Sequence, residues 1–243
     1  MLAVIAGAGN VRAQGGPPMI TDDPGTPGNG KWEINLATAV EHRPSETSWD
    51  APAIDVNYGV GERIQLTLQT APVVLQRAGR GPIAGLGGTE AALKWRFLDE
   101  EHDGVSMSMS MFPRVIFNVS QSSVRRGLAE DGTRVQLPLQ IEKTFGVVDL
   151  CFEWGVLSST IGRSEWLYGI VGGLEVTKTT KLMIELHGAA RTSFARDVLT
   201  VNVGARQKLN DWSVLIVSLG HDVRTPESEP FALICYGGIQ LLF

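Results

Sequence analysis

The last thirteen residues, Phe231-Ala-Leu-Ile-Cys-Tyr-Gly-Gly-Ile-Gln-Leu-Leu-Phe243, alternate. Phe231, Leu233, Cys235, Gly237, Ile239, Leu241 and Phe243 share one face of an extended chain, with Gly238 and Gln240 on the other. A period of two is the signature of a β-strand with unlike faces. One such strand fits many folds. The constraint comes from its repetition along the whole chain.

Eleven further segments follow the same pattern. Trp32, Ile34 and Leu36 oppose Glu33 and Asn35; Ile54, Val56 and Tyr58 oppose Asp55 and Asn57. Leu66 and Leu68 oppose Gln65 and Gln69, and Leu93, Trp95 and Phe97 oppose Glu90, Lys94 and Arg96. Met107, Met109 and Met111 alternate with serines, and Val135 and Leu137 with Arg134, Gln136 and, further on, Glu142. Leu150, Phe152 and Trp154 oppose Asp149 and Glu153; Ile170 and Leu174 oppose Glu175. Leu182, Ile184 and Leu186 oppose Glu185 and His187, and Val201 and Val203 oppose Arg206 and Lys208. The eleventh segment alternates weakly. It is read with Trp212, Val214 and Ile216 on the apolar face, which leaves Leu215, Val217 and Leu219 on the other.

No run reaches the roughly 18 apolar residues of a membrane helix, so a helical membrane protein is excluded. Segments of about ten residues instead match tilted membrane strands. The connections also alternate in length. Short turns are expected at Gly59–Arg63, Asp99–Gly104, Gly146–Val148, Thr179–Lys181 and Asn210–Asp211. Longer loops are expected at His42–Asp50, Val73–Gly88, Ser120–Gly132, Ser158–Glu165, Thr192–Asp197 and His221–Pro230. Trp32, Tyr58, Phe97, Phe145, Trp212 and Phe243 then fall at one end of the apolar faces, and Phe117, Trp166, Tyr168 and Phe231 at the other. Two aromatic girdles, an even strand number and a terminal aromatic residue describe a bacterial outer-membrane barrel. The expected fold is all-β: a twelve-stranded antiparallel up-and-down transmembrane β-barrel over residues 31–243. A soluble lipocalin-like barrel would carry its polar residues outside.

The start of the chain is different. Residues 1–13, apolar and ending in Val11-Arg-Ala13, read as a signal-peptide remnant. Residues 14–30 are rich in Gly, Pro and Asp and suit neither helix nor strand. They either hang loose or fold into the lumen, where Thr21, Asp22, Asp23 and Pro24 would form a plug. Two adjacent carboxylates are too few to hold a metal, and no cofactor is expected. Cys151 is expected inside and Cys235 outside, an arrangement that precludes a disulfide. A net charge of −5 argues against nucleic acid as a partner.

Several pieces carry a family resemblance. They are Gly16-Pro-Pro-Met-Ile-Thr-Asp-Asp-Pro24 with Gly30-Lys-Trp-Glu33, Asp55-Val-Asn-Tyr-Gly59, Gly87 to Phe97, Arg126-Gly-Leu128, Thr133 to Gln140, and Lys143-Thr-Phe-Gly146. They resemble the outer-membrane protein family linked to the meta-pathway of phenol degradation. The resemblance spans nearly the whole chain after the leader. It implies an outer-membrane transporter, and a context of aromatic breakdown rather than a defined substrate.

The lumen-facing residues set the functional expectation. Lys94, Arg96, Arg114, Arg134 and Arg206 supply positive charge. Glu90, Glu142, Glu153, Glu175 and Glu185, with His187, supply the acids and a titratable ring. The basic group suggests a preference for anions, and the apolar patch at Leu215 a route for hydrophobic or aromatic solutes. The expected function is passive uptake of small solutes, with lipid, solute and the barrel-assembly machinery as partners, the last through the strand ending in Phe243. The alternatives are an adhesion or structural barrel and, less well supported, a lipid-modifying enzyme. No GxSxG or HExxH motif is present, so an enzyme is not expected.

Overall fold

The computed structural model describes residues 16–162, 164–194, 197–226 and 230–243. The signal-peptide remnant expected at residues 1–13 lies outside the described residues. The strands are β1 (Trp32–Arg43), β2 (Glu46–Val60), β3 (Ile64–Arg77), β4 (Ile83–Leu98), β5 (Ser108–Met111), β6 (Arg114–Phe117), β7 (Arg134–Phe145), β8 (Val148–Ser159), β9 (Glu165–Thr177), β10 (Thr180–Arg191), β11 (Asp197–Asn210), β12 (Ser213–Arg224) and β13 (Leu233–Leu242), with one short helix, α1 (Gln121–Arg126). All pairings are antiparallel, between chain neighbours except where β5 and β6 share β4 and β7, and β13 returns to β1, with Ile34 opposite Leu241. The sheet therefore closes and leaves no edge.

β5 and β6 are halves of one strand, since each pairs with both β4 and β7. The closed barrel thus has twelve strands. The break falls at Phe112-Pro113. Proline has no N–H to give to the ladder, and the ladder is carried past it by Leu93 N–H donating to Pro113 O and Phe112 N–H to Pro138 O, both at 3.1 Å.

Alternation places the faces as the sequence implies on most strands. Leu66, Leu68, Leu93, Trp95, Leu150, Phe152, Ile184 and Leu186 are exposed on the outside, while Asn35, Gln65, Lys94, Gln140, Glu153 and Glu185 are buried inside. Trp32 packs at a tilt against Tyr58 with ring centroids 4.5 Å apart at the end carrying the chain termini, and Trp154 likewise against Trp166 at 5.5 Å toward the other. We refer to these as the terminal and loop ends.

Strand β12 departs from expectation. Ile216 is 0% exposed and Leu215 37%. Arg206 lies opposite Ile216, and Gln240 opposite Val214. Both polar partners point inward, so Val214 and Ile216 must as well. Leu215, Val217 and Leu219 therefore face outward, and the expected apolar lumen wall at Leu215 does not exist. The cause is a register irregularity between Lys208 and Asn210, which makes Ser213 the first paired residue. A one-residue slip exchanges the two faces of a strand, and with apolar residues at nearly every position the sequence does not mark the slip.

The loop ends also differ. β1 and β2 stay paired out to Arg43 and Glu46, and β3 and β4 out to Leu75 and Ile83. Paired ribbon thus replaces most of the loops expected at His42–Asp50 and Val73–Gly88. The connection between β6 and β7 keeps its length and holds α1. The Ser120 hydroxyl accepts from Ser123 N–H to cap this helix.

Leu68 and Gln69 are neighbours on opposite faces of β3, so they test the assignment of the faces. Leu68→Arg is expected to cost about 2–4 kcal/mol of barrel stability in a bilayer. Gln69→Arg, which would stand between Asp55 and Glu90, should fold as the parent does. Urea titration of the refolded barrel in lipid vesicles reads both, and equal losses would refute this facing of β3.

Candidate functional site

Alternation directs the polar half of each strand into the barrel, where two further pieces of chain also lie. From Gly16 onward the N-terminal segment runs through the lumen, with Thr21 and Asp23 buried. It is held first by its backbone. Ile20 and Thr21 N–H donate to the Glu185 carboxylate at 3.1 and 2.5 Å, and Asn202 Nδ2 steadies that carboxylate at 3.1 Å. Arg206 donates to Pro17 O and Ser218 Oγ to Pro18 O, both at 2.8 Å. Arg206 also donates to Gln240 Oε1.

The second hold is a charge cluster. Asp22 accepts from Lys94 Nζ at 3.0 Å and from Arg114 at 2.9 Å, one through each carboxylate oxygen. Lys94 also donates to Asp23 O at 2.7 Å. Burial pushes the Asp22 carboxyl up, but Lys94 and Arg114 outweigh it and hold the group below its usual range. The two cations also lie over the buried Phe112 ring, at 4.6 and 4.1 Å from its centroid. Charge-assisted bonds of this kind are about twice as strong as neutral ones.

The third hold is shape. Met19 packs with Cys151, Val171 and Met183 in a small buried cluster. A Cβ on Gly169 would stand 1.9 Å from Thr21 Oγ1, and one on Gly204 2.2 Å from Met19 Cε. The wall at β9 and β11 is thus bare where the segment lies against it. The Cys151 thiol donates to Asp22 O at 3.2 Å and is covered by the segment. Cys235 is free, like Cys151.

The other inserted piece is the β6–β7 connection. Leu128 is buried against the inward-facing Val73 and Leu75. Arg126 donates to Ala84 O at 2.9 Å. This inward fold leaves no signal in the sequence beyond the apolar Leu128 after the helix.

With one wall occupied by the segment, open volume remains against the opposite wall. A lower cavity of about 230 Å³ is lined by Asp55 on β2, Gln69 on β3, Glu90 on β4 and Arg114 on β6, together with Glu33 and Tyr236. An upper cavity, also about 230 Å³, is lined by Asp50, Ala71, Gly88 and Ile116 on the same four strands. The two therefore follow one another along a single wall, a few residues apart on each strand.

Of the expected cations, Arg206 holds Pro17 O and Gln240 Oε1 on β11's side, and the other four each meet a carboxylate. Lys94 and Arg114 are engaged by Asp22, and Arg114 lies 3.6 Å from Glu90. Arg96 meets Asp99 at 3.1 Å at the terminal end, and Arg134 meets Glu130 at 2.7 Å at the loop end. The acids divide differently. Glu153 accepts from Gln140 at 2.8 Å. Glu142 faces inward with Oε2 lacking a partner, while Glu175 is exposed at the terminal end. His187 lies beside inward Thr200 in the ladder. Pro24 is buried beside Asp23. Asp55 Oδ2 accepts from Asn35 and Asn57 at 2.9 and 3.2 Å, but its Oδ1 is buried with no partner. Among the described residues, Asp50, Asp55 and Glu33 have no cation within 4 Å, the distance that defines an ion pair. Sequence reasoning placed Asp55 and Glu33 inside but did not single them out, and it passed over Asp50 because that residue fell in an expected loop.

No protein-family model matches the chain, and no curated protein matches it. Solved structures do. An outer membrane channel from Pseudomonas putida F1 superposes with a TM-score of 0.71 at 15% identity, covering 91% of this chain and 98% of that one. NanC porin gives 0.62 at 6% identity, covering 86% and 98%. KdgM porin gives 0.58 at 12%, covering 86% and 99%. At these identities the likeness is one of fold: all three share the outer-membrane barrel architecture. The resemblance to the phenol-degradation family rests on its motifs alone.

If Asp22 latches the segment, Cys151 reports its release. In a Cys235→Ser background, Asp22→Asn should weaken docking by about 1.5–3 kcal/mol, the usual worth of hydrogen bonds to charged groups. Modification of Cys151 by a water-soluble maleimide should then quicken roughly tenfold or more, as the open state becomes more populated. Gly169→Val, which overlaps Thr21, should do the same. Unchanged labelling in both variants would mean that the segment is not what shields the thiol.

Proposed function

We propose that this chain is a passive channel of the bacterial outer membrane that conducts small polar solutes along the wall formed by β2, β3, β4 and β6. The observation that carries the reading is the succession of two cavities on those four strands, beside the part of the lumen that residues 16–24 occupy. Twelve strands enclose more space than the roughly eight whose side chains alone can fill a barrel. The segment occupies part of that space and narrows the rest.

The apolar outer face and its aromatic ends support a location in lipid, and the channels and porins of like fold support the same reading. The terminal strand ending in Phe243 is the segment that the barrel-assembly machinery would read. A route for aromatic or hydrophobic solutes, which the family resemblance suggests, loses the support of Leu215 now that this side chain faces outward. The reading is non-enzymatic. His42, His102 and His221 bond Thr47, Asp99 and the carbonyl of Ala232 respectively through Nδ1, and among the described residues none of these bonds involves a serine.

Single-channel recording in planar bilayers tests the proposal. The full chain should give small, discrete conductance steps, and a variant lacking residues 16–30 should give steps several-fold larger, since pore width limits current. If neither protein conducts, the lumen is packed shut and the channel reading fails.

A further inference from the structure

The charges left over after the segment docks identify what the path would admit. The three cations that line it, Lys94 and Arg114 in the lower cavity and Arg134 in the upper, each meet a carboxylate, as does Arg96 beyond it, while Arg206 holds Pro17 O and Gln240 Oε1. Four carboxylates on or beside it, Asp23, Asp50, Asp55 and Glu33, meet no cation among the described residues, within the 4 Å that defines an ion pair. The buried Asp55 Oδ1 accepts no hydrogen bond among the described residues. A charge left uncompensated by protein in a confined space attracts a counterion from solution.

The upper cavity adds a second requirement. Asp50 is the cross-strand partner of the inward-facing Val73, and Ala71, Ile116 and Leu128 line the same space. A carboxylate at the edge of an apolar floor matches a solute with a cationic head and a short apolar body. At about 230 Å³ the cavity is below the roughly 300–1,000 Å³ of pockets for drug-sized ligands, which sets the solute as small.

We propose that the path selects small organic cations, primary ammonium compounds with a short alkyl or aryl group, over anions of equal size. This rests on the channel reading and reverses the anion preference that the sequence suggests. The reversal arises because the segment brings its own carboxylate, Asp22, to the two cations that would otherwise attract anions.

Reversal potentials of the full chain across a KCl gradient, followed by replacement of KCl with n-butylammonium chloride or potassium butanesulfonate, test the inference. The expected reversal lies on the cation side, with butylammonium carrying current and butanesulfonate not. Asp50→Asn and Asp55→Asn should each lower the cation-to-anion permeability ratio by about twofold or more, as expected when a pore-lining charge is removed. Glu46→Gln, at a residue paired with Arg77 and outside both cavities, should leave the ratio unchanged; heat-modifiable gel migration verifies folding of each variant. A reversal on the anion side, or an equal shift in Glu46→Gln, overturns the cation inference and leaves the channel standing. The wild-type reversal decides even if a variant does not fold. Absence of any conductance overturns the channel reading itself.

Discussion

Every backbone N–H and C=O that enters hydrocarbon must find its partner within the protein. For this chain that demand is met by pairing β13 with β1, and most other features follow from it. A closed sheet has one face toward lipid and one toward the lumen, so the side chains must alternate. The demand also explains the treatment of Pro113. A proline in the wall removes one donor, and the chain answers by splitting one strand into β5 and β6 while Phe112 and Leu93 carry the ladder across.

Closure with twelve strands leaves an interior that side chains do not fill, and it is lined by charges that burial penalises. The N-terminal segment addresses both problems. Its backbone amides satisfy Glu185, its carbonyls accept from Arg206 and Ser218, and Asp22 compensates Lys94 and Arg114. The bare wall at Gly169 and Gly204 matches Thr21 and Met19 in turn. Sequence positions more than 160 apart are joined here, as in the bond from Ile20 to Glu185.

The difference in range explains what could be read from the sequence. The facing of Leu68, Lys94 or Glu153 depends only on the next residues along, so periodicity discloses it. The facing of Leu215 depends on where the β11–β12 turn slips, and a strand apolar on both faces carries no mark of that. The path of residues 16–24 depends on a groove assembled from β8 to β12, with Lys94 and Arg114 closing over Asp22. Composition could show that the segment was neither helix nor strand, but not which wall would receive it. Asp50 was hidden for another reason: the β1–β2 ribbon continues beyond the apolar alternation, so polar residues such as Ser48 and Asp50 looked like loop.

Charge is where the longer-range arrangement matters most. Counting inward Lys and Arg alone along the strands suggests a lumen that favours anions. It omits that Asp22 arrives from outside the barrel sequence and engages two of those cations at once, while Asp99 and Glu130 engage two more from connections at opposite ends. None of these acids lies on a strand. Asp55, by contrast, sits mid-strand among amides that hydrogen-bond one oxygen without cancelling its charge. The sign of the field along the open wall is thus set less by the strands that line it than by the pieces of chain inserted beside them.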